Sequence, residues 1–297
     1  MKRRATPGAV WGMLRPLMSA PVQKPVDLVQ LDPDHPGFRD EVYRLRRNQI
    51  AELAAAYRAP APVPQVDYSD VEHGVWRTIW KSLAPLHDTL ACEQYQACSA
   101  NLRLPKDSIP QLREVNLELA RRSGFQMHPV AGLVSSRDFL GYLRRNAFLS
   151  TQYMRHHSVP LYTPEPDIVH ELVGHAATFA DPTFVALNQN FGAAAERASD
   201  AALVRIERAY WFTLEFGVVR EAKALKAYGA GLLSSFGELE RFRTHTQLLP
   251  FDLEQMSAKP YDPTTYQGTL YVAESLDQVR RDVTAWLNEV APQRGTP

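Results

Sequence analysis

Cysteine is nearly absent: the 297 residues hold only Cys92 and Cys98. Two thiols cannot staple a chain of this length, and their C-x5-C spacing matches neither a zinc knuckle nor a C-x-x-C redox pair. A disulfide-built secreted scaffold is therefore excluded, and a reducing cytoplasm is the expected setting. A charge of one sign is missing too. Lys+Arg and Asp+Glu stand at 33 each, which leaves no long-range field to attract nucleic acid or an anionic membrane. No run of 18 apolar residues occurs, so no membrane span is expected. Met1-Lys2-Arg3-Arg4 resembles the start of a signal peptide, but Pro7, Gly8, Arg15 and Pro16 interrupt any apolar segment behind it.

What is present is a chain that is 45% hydrophobic, enough to bury a sizeable core. Residues 1 to 25, rich in proline and basic residues, read as a loose tail. Apolar positions at helical spacing predict helices over Asp40–Tyr57, Val71–Leu83, Leu90–Ala100, Ile109–Ser123, Ser136–Arg144, Pro166–Leu172, Pro182–Phe191, Ala201–Val219, Ser235–Thr244 and Ser275–Asn288. The alternating prolines of Ala59–Pro64 end the first of these. Strand-like runs are few: Met127–Val130, Val159–Tyr162 and Thr269–Val272. The expected fold is mainly α with minor β, a basket of helices around a buried site.

The chemistry concentrates in Thr163-Pro164-Glu165-Pro166-Asp167-Ile168-Val169-His170-Glu171-Leu172-Val173-Gly174-His175. Two imidazoles with carboxylates beside them suggest a metal site. A zinc hydrolase of the H-E-x-x-H type sets its histidines four apart on one helix face. Here the separation is five. On a straight α-helix that turns the two rings roughly 140° apart. His170 and His175 can converge only through a π-like widening or a helix end near Gly174. Glu215 supplies the third ligand. It lies in Tyr210-Trp211-Phe212-Thr213-Leu214-Glu215-Phe216, an apolar stretch where a lone carboxylate is costly unless paired or metal-bound. Two histidines and one carboxylate leave open positions, the facial arrangement of non-haem iron(II) oxygenases.

Several blocks in this order resemble the pterin-dependent aromatic amino acid hydroxylases: HPVAGLVSSRDFLG at 128–141, STQYMRH at 150–156, YTPEPDIVHELVGH at 162–175, YWFTLEFG at 210–217, KAYGAGLLSSFGEL at 226–239 and LYVAESL at 270–276. The similarity spans about 32 to 290 and is nearest to the phenylalanine-hydroxylating branch. It implies a catalytic domain over 26–291, with tails at 1–25 and 292–297 and neither the regulatory domain nor the tetramerisation tail of animal members. A monomer or weak dimer follows.

The resemblance also implies roles. His170, His175 and Glu215 would bind Fe(II). Glu171 and Tyr210, a tyrosine near the water on the metal, would serve the catalytic centre. Gly132, Val134, Ser136, Phe139 and Glu171 would hold a tetrahydropterin. Arg155 would bind the carboxylate of the amino acid and Asp167 would orient it. Thr163 and Ser234 would lie near the substrate backbone, and Pro166, Trp211 and Phe216 would cage its ring. The implied activity is ring hydroxylation by O2, with L-phenylalanine to L-tyrosine first and tyrosine 3-, phenylalanine 3- or tryptophan hydroxylation as alternatives. Outside the family stand a zinc hydrolase and a non-catalytic metal-binding protein.

Two positions depart from the family pattern near the pterin. Leu149 stands where a histidine is expected, and Glu207 where animal enzymes carry a small residue. Pro263, in Tyr261-Asp262-Pro263-Thr264-Thr265-Tyr266, matches neither the phenylalanine nor the tyrosine enzymes at the position where they differ. Taken alone, Arg155-His156-His157 also reads as a solvated basic cluster.

Overall fold

Helix starts are set by short polar side chains that cap free backbone N–H groups. Asp40 caps α1 (Glu41–Ala56), and Ser69 with Glu72 forms a capping box at α2 (Asp70–Leu90). The chain then runs through α3 (Glu93–Leu102), α4 (Leu112–Arg122), β1 (Gln126–Pro129), α5 (Ser136–Leu143) and β2 (Ala147–Ser150). A π-helix over His170–Ala176 continues as α6 (Ala177–Phe179), followed by α7 (Pro182–Arg197) and α8 (Asp200–Tyr210). A second π-helix, Trp211–Glu215, extends α8 directly. The remainder is β3 (Val218–Glu221), β4 (Ala224–Ala227), α9 (Ala230–Ser234), α10 (Phe236–Arg241), β5 (Gln247–Pro250), α11 (Leu253–Ala258), β6 (Thr269–Ala273) and α12 (Leu276–Val290). This is a computed structural model, and it describes residues 29–132 and 134–292. The tails expected at 1–25 and 292–297 lie outside those residues, apart from Pro292.

The architecture is mainly α with minor β, as expected. One apolar cluster joins Trp76 and Ile79 of α2, Leu172 and Val173 of the first π-helix, Phe212 and Leu214 of the second, and Val283 and Leu287 of α12. β1 and β2 pair in parallel, with α5 as their crossover. The other sheet has the order β4-β3-β6-β5, with β3 antiparallel to β4 and parallel to β6. Among the described residues no helix is long and apolar enough to cross a membrane.

Local expectations fail in several places, the four short strands β2 to β5 among them. Val159–Tyr162 is not a strand but a pair of turns, with Val159 N donating to His156 O and Tyr162 N to Val159 O. The span Ala201–Val219 is not one helix, because the π-helix ends at Glu215 and Val218 enters β3. Helix α2 passes Leu83 and carries Pro85 inside it to reach Leu90.

Candidate active site

The first π-helix brings together what the five-residue spacing would separate. Each π turn spans about one extra residue, so His170 and His175 share a face. Their rings cross at 86° with centroids 4.7 Å apart. Gly174 is needed here for close approach. A Cβ on it would sit 2.7 Å from the carbonyl oxygen of Ala230, where α9 packs against the π-helix. The second π-helix delivers Glu215 to the same point.

The three donors fit an ion. His170 Nε2 and His175 Nε2 lie 3.0 Å apart, and Glu215 approaches them at 3.5 Å and 3.0 Å respectively. A centre about 2.1 Å from each nitrogen would see the pair at roughly a right angle. That suits an octahedral metal with open cis positions better than a tetrahedral one. The tautomer agrees. Ser234 Oγ donates to Ala230 O at 2.7 Å, so it accepts from His170 Nδ1 at 3.0 Å. The Nε2 lone pair is thereby left facing the triad. Burial, the largest influence, pushes the His170 pKa down to about 4. Burial opposes the charge of Glu215, yet His175 and His170 hold its carboxyl below the usual range. A neutral His170 beside an ionised carboxylate is a combination that a divalent metal requires. Among the described residues one further cluster, Asp40, His156 and His157, has metal-ligand spacing. There His156 is already bonded to Ser158 Oγ at 2.7 Å and Asp40 Oδ2 at 3.2 Å.

Two cavities meet at the triad. The larger, about 550 Å³, opens at the carboxyl ends of β1 and β2 and takes in Gly132, Val134, Ser136, Phe139, Glu171 and Tyr210. All the residues expected to hold a pterin therefore line one space. Phe139 is braced edge-on by Phe148 and Tyr210, at centroid distances of 5.3 Å and 5.7 Å. Glu171 accepts from Thr151 N at 3.0 Å and Thr151 Oγ1 at 2.9 Å. Its burial outweighs these bonds and pushes its pKa up to about 7. The Tyr210 hydroxyl donates to Asn188 Oδ1 at 3.1 Å. Leu149 and Glu207, the two departures, line this cavity as well.

The smaller cavity, about 180 Å³, is lined by Arg155, Thr163, Pro166, Trp211, Phe216 and Ser234. Asp167 lies beneath it, fully buried. Arg155 is only 4% exposed, so the solvated-cluster reading of Arg155-His156-His157 is wrong. Arg155 Nε and Nη2 both donate to Asp167, each at 2.8 Å, and Arg155 N donates to it at 2.9 Å. The side edge of the guanidinium is spent on Asp167, and its end edge remains for a second carboxylate. Glu165, Pro166, His170, Trp211 and Glu215 line both cavities.

A model of the biopterin-dependent aromatic amino acid hydroxylases matches residues 25–294. The chain belongs to this family. It is 46% identical over 259 residues to human phenylalanine-4-hydroxylase, covering 86% of this chain and 57% of that protein. It is 42% identical over 266 residues to tyrosine 3-monooxygenase of Drosophila melanogaster, covering 88% and 46%. The chain thus spans about half the length of these hydroxylases. Among solved structures it resembles the apo phenylalanine hydroxylase of Colwellia psychrerythraea, with a TM-score of 0.69, 29% identity, and 77% and 92% of the two chains covered. It also resembles the phenylalanine hydroxylase of Chromobacterium violaceum with bound iron(III) and 7,8-dihydrobiopterin, with a TM-score of 0.72, 26% identity, and 81% and 90% covered.

Other residues at this site receive no role from the sequence. Thr151, Tyr261, Gln267 and Glu238 contact it through bonds made only in the folded chain. Glu238 lines the smaller cavity and accepts from Gln267 N at 2.8 Å. Burial raises its pKa from 4.5 to about 7, against the lowering effects of that bond and Arg241. The folded state therefore holds this proton more tightly than the unfolded chain. The resulting stability is full below pH 4.5 and is lost as pH rises through about 7. Glu238→Gln keeps an acceptor for Gln267 N. Relative to the parent it should gain on the order of 2 kcal/mol on going from pH 5 to pH 8, after screening at its open edge. Urea unfolding at both pH values measures this, and an equal difference at the two would contradict it.

Proposed function

We propose that this protein is a monooxygenase that hydroxylates the ring of an aromatic amino acid, converting L-phenylalanine to L-tyrosine with Fe(II), O2 and a tetrahydropterin. One observation carries the reading: an open two-histidine, one-carboxylate triad stands where two cavities meet, one with a free guanidinium edge and the other with a braced aromatic face. When bound, Fe(II) and the tetrahydropterin would together supply the activation of O2 and its two electrons. Everything else is work for the chain.

Arg155 binds the amino acid carboxylate with its end edge while Asp167 keeps the guanidinium from turning. Trp211 and Phe216, with ring centroids 4.7 Å apart, and Pro166 hold the side chain against the triad and exclude water. Phe139 offers a face for a flat heterocycle. Glu171, with its pKa near neutrality, accepts or returns a proton at its carboxyl beside that ring. Pro263, which lines the smaller cavity, has no N–H to offer a ring hydroxyl.

The test is anaerobic loading with Fe(II), followed by an oxygenated assay with phenylalanine, tyrosine and tryptophan and a synthetic tetrahydropterin, products being separated by chromatography. L-Tyrosine is expected as the main product. Dominant 3-hydroxyphenylalanine, dihydroxyphenylalanine or 5-hydroxytryptophan would reassign the substrate or ring position. Tight zinc in place of iron, with no turnover of any amino acid, would remove the reading.

A further inference from the structure

Glu207 occupies the larger cavity at a position where the sequence departs from the animal enzymes. Its carboxylate is shared between two distant segments. Ser136 Oγ, in the first turn of α5, donates to Glu207 Oε2 at 2.8 Å. The Tyr261 hydroxyl donates to Glu207 Oε1 at 2.6 Å. Tyr261 opens the segment 261–267, whose residues 262–266 are all exposed. Its ring lies flat on Trp211, at 4.1 Å and 9°. Glu207 and Trp211 are one helical turn apart, so a single tyrosine reaches both, with its hydroxyl on one and its ring on the other.

The far end of the same segment is tied to Trp211 as well. Trp211 Nε1 donates to Gln267 Oε1 at 3.0 Å, and Gln267 Nε2 donates to Asp262 O and Thr265 O, each at 3.0 Å. The wall of the smaller cavity is thus assembled around Trp211. A hydrogen-bonded side-chain link from this wall to α5, whose first turn borders the larger cavity, is the Ser136–Glu207–Tyr261 bridge. From this geometry we propose that Glu207 is a positioning residue that couples occupancy of the two cavities. A ligand in the larger cavity that orders Ser136 also orders Glu207, Tyr261 and Trp211. A second ligand, in the smaller cavity, then meets a wall that is already set, and the shared ordering cost appears as positive cooperativity. The proposal rests on the functional reading above for its two ligands, a tetrahydropterin and an aromatic amino acid.

The experiment is anaerobic titration calorimetry on the Fe(II)-loaded protein. L-Phenylalanine is titrated with and without 6-methyltetrahydropterin, and the pterin with and without phenylalanine. In the parent, each ligand should raise the affinity of the other by the same factor, about fivefold or more. Glu207→Ala should bring that factor, taken as the ratio of affinities with and without the other ligand in the same variant, to within twofold of one. Tyr261→Phe, which deletes one hydroxyl and keeps the stack on Trp211, should do the same. Glu207→Gln should retain most of the coupling, because a carboxamide accepts from one hydroxyl and donates to the other. Parent-like coupling in Glu207→Ala overturns the proposal. So does a tenfold loss of pterin affinity in that variant without amino acid, which would make Glu207 a direct ligand contact. A parent that binds both ligands independently overturns it while leaving the function intact. A parent that binds neither overturns the functional reading and the coupling with it.

Discussion

His175→Ala is expected to lose stoichiometric iron and all measurable turnover while remaining folded. His175 is 2% exposed and lies between Phe148 and Phe179, at centroid distances of 4.4 Å and 6.0 Å. Its Nε2 lies 3.0 Å from the Nε2 of His170 and 3.0 Å from a Glu215 oxygen. Removing the ring opens a small void beside two phenyl rings, a modest cost to the fold. The cost to metal binding is larger. Losing a supporting outer-sphere partner typically costs 10–100-fold in metal affinity, so losing a ligand should cost more than about 100-fold. Iron analysis after gel filtration should fall from near one per chain to background. The rise in Tm on adding Fe(II), which follows from binding to the folded state alone, should vanish, while the metal-free Tm stays within a few degrees of the parent. Full iron and turnover in the variant would remove His175 from the metal centre.

The spacing of the two histidines was informative because it conflicted with an ordinary α-helix. A five-residue separation demands a wider turn, and the first π-helix provides it over His170–Ala176. The second π-helix gave no such warning. Trp211 and Glu215 are four apart, a separation an α-helix accepts, so nothing in the pattern reveals that Trp211–Glu215 is wound more loosely. The short strands were hidden for a different reason. Ala147–Ser150, Val218–Glu221, Ala224–Ala227 and Gln247–Pro250 are four residues each, too short for a period of two to stand out. Their pairing comes from neighbours distant in the chain. Side chains aimed into the cavities were legible where they sit in long family blocks, as for Phe139 and Trp211. The bonds that hold them were not. Glu207 looked like a mismatch in a pterin site, and only the fold reveals that Ser136 and Tyr261 both bond to it.

Arg155→Lys and Arg155→Ala should damage both the amino acid site and the fold, in separable amounts. Asp167 is fully buried and accepts from Arg155 Nε, Nη2 and backbone N, and from Val169 N at 3.2 Å and His170 N at 3.3 Å. It thus anchors the guanidinium and also the start of the helix that carries His170 and His175. Burial alone would raise its pKa, but Arg155 reverses this and holds the carboxyl below its usual value. Alanine at 155 leaves a buried, uncompensated carboxylate, at a cost of about 3–5 kcal/mol of stability. Lysine keeps the charge but offers a single point donor in place of two parallel N–H bonds, so part of that loss should persist. The effect on substrate comes on top. The free edge of the guanidinium disappears in both variants, and a charge-assisted contact of this kind is worth on the order of 3 kcal/mol, about a hundredfold in affinity. In Arg155→Lys, which should still fold, KM for phenylalanine should rise by roughly that factor while pterin KM changes little. Urea unfolding gives the structural share and steady-state kinetics the binding share. Phenylalanine KM at the parent value in a folded Arg155→Lys protein would confine Arg155 to its pairing with Asp167.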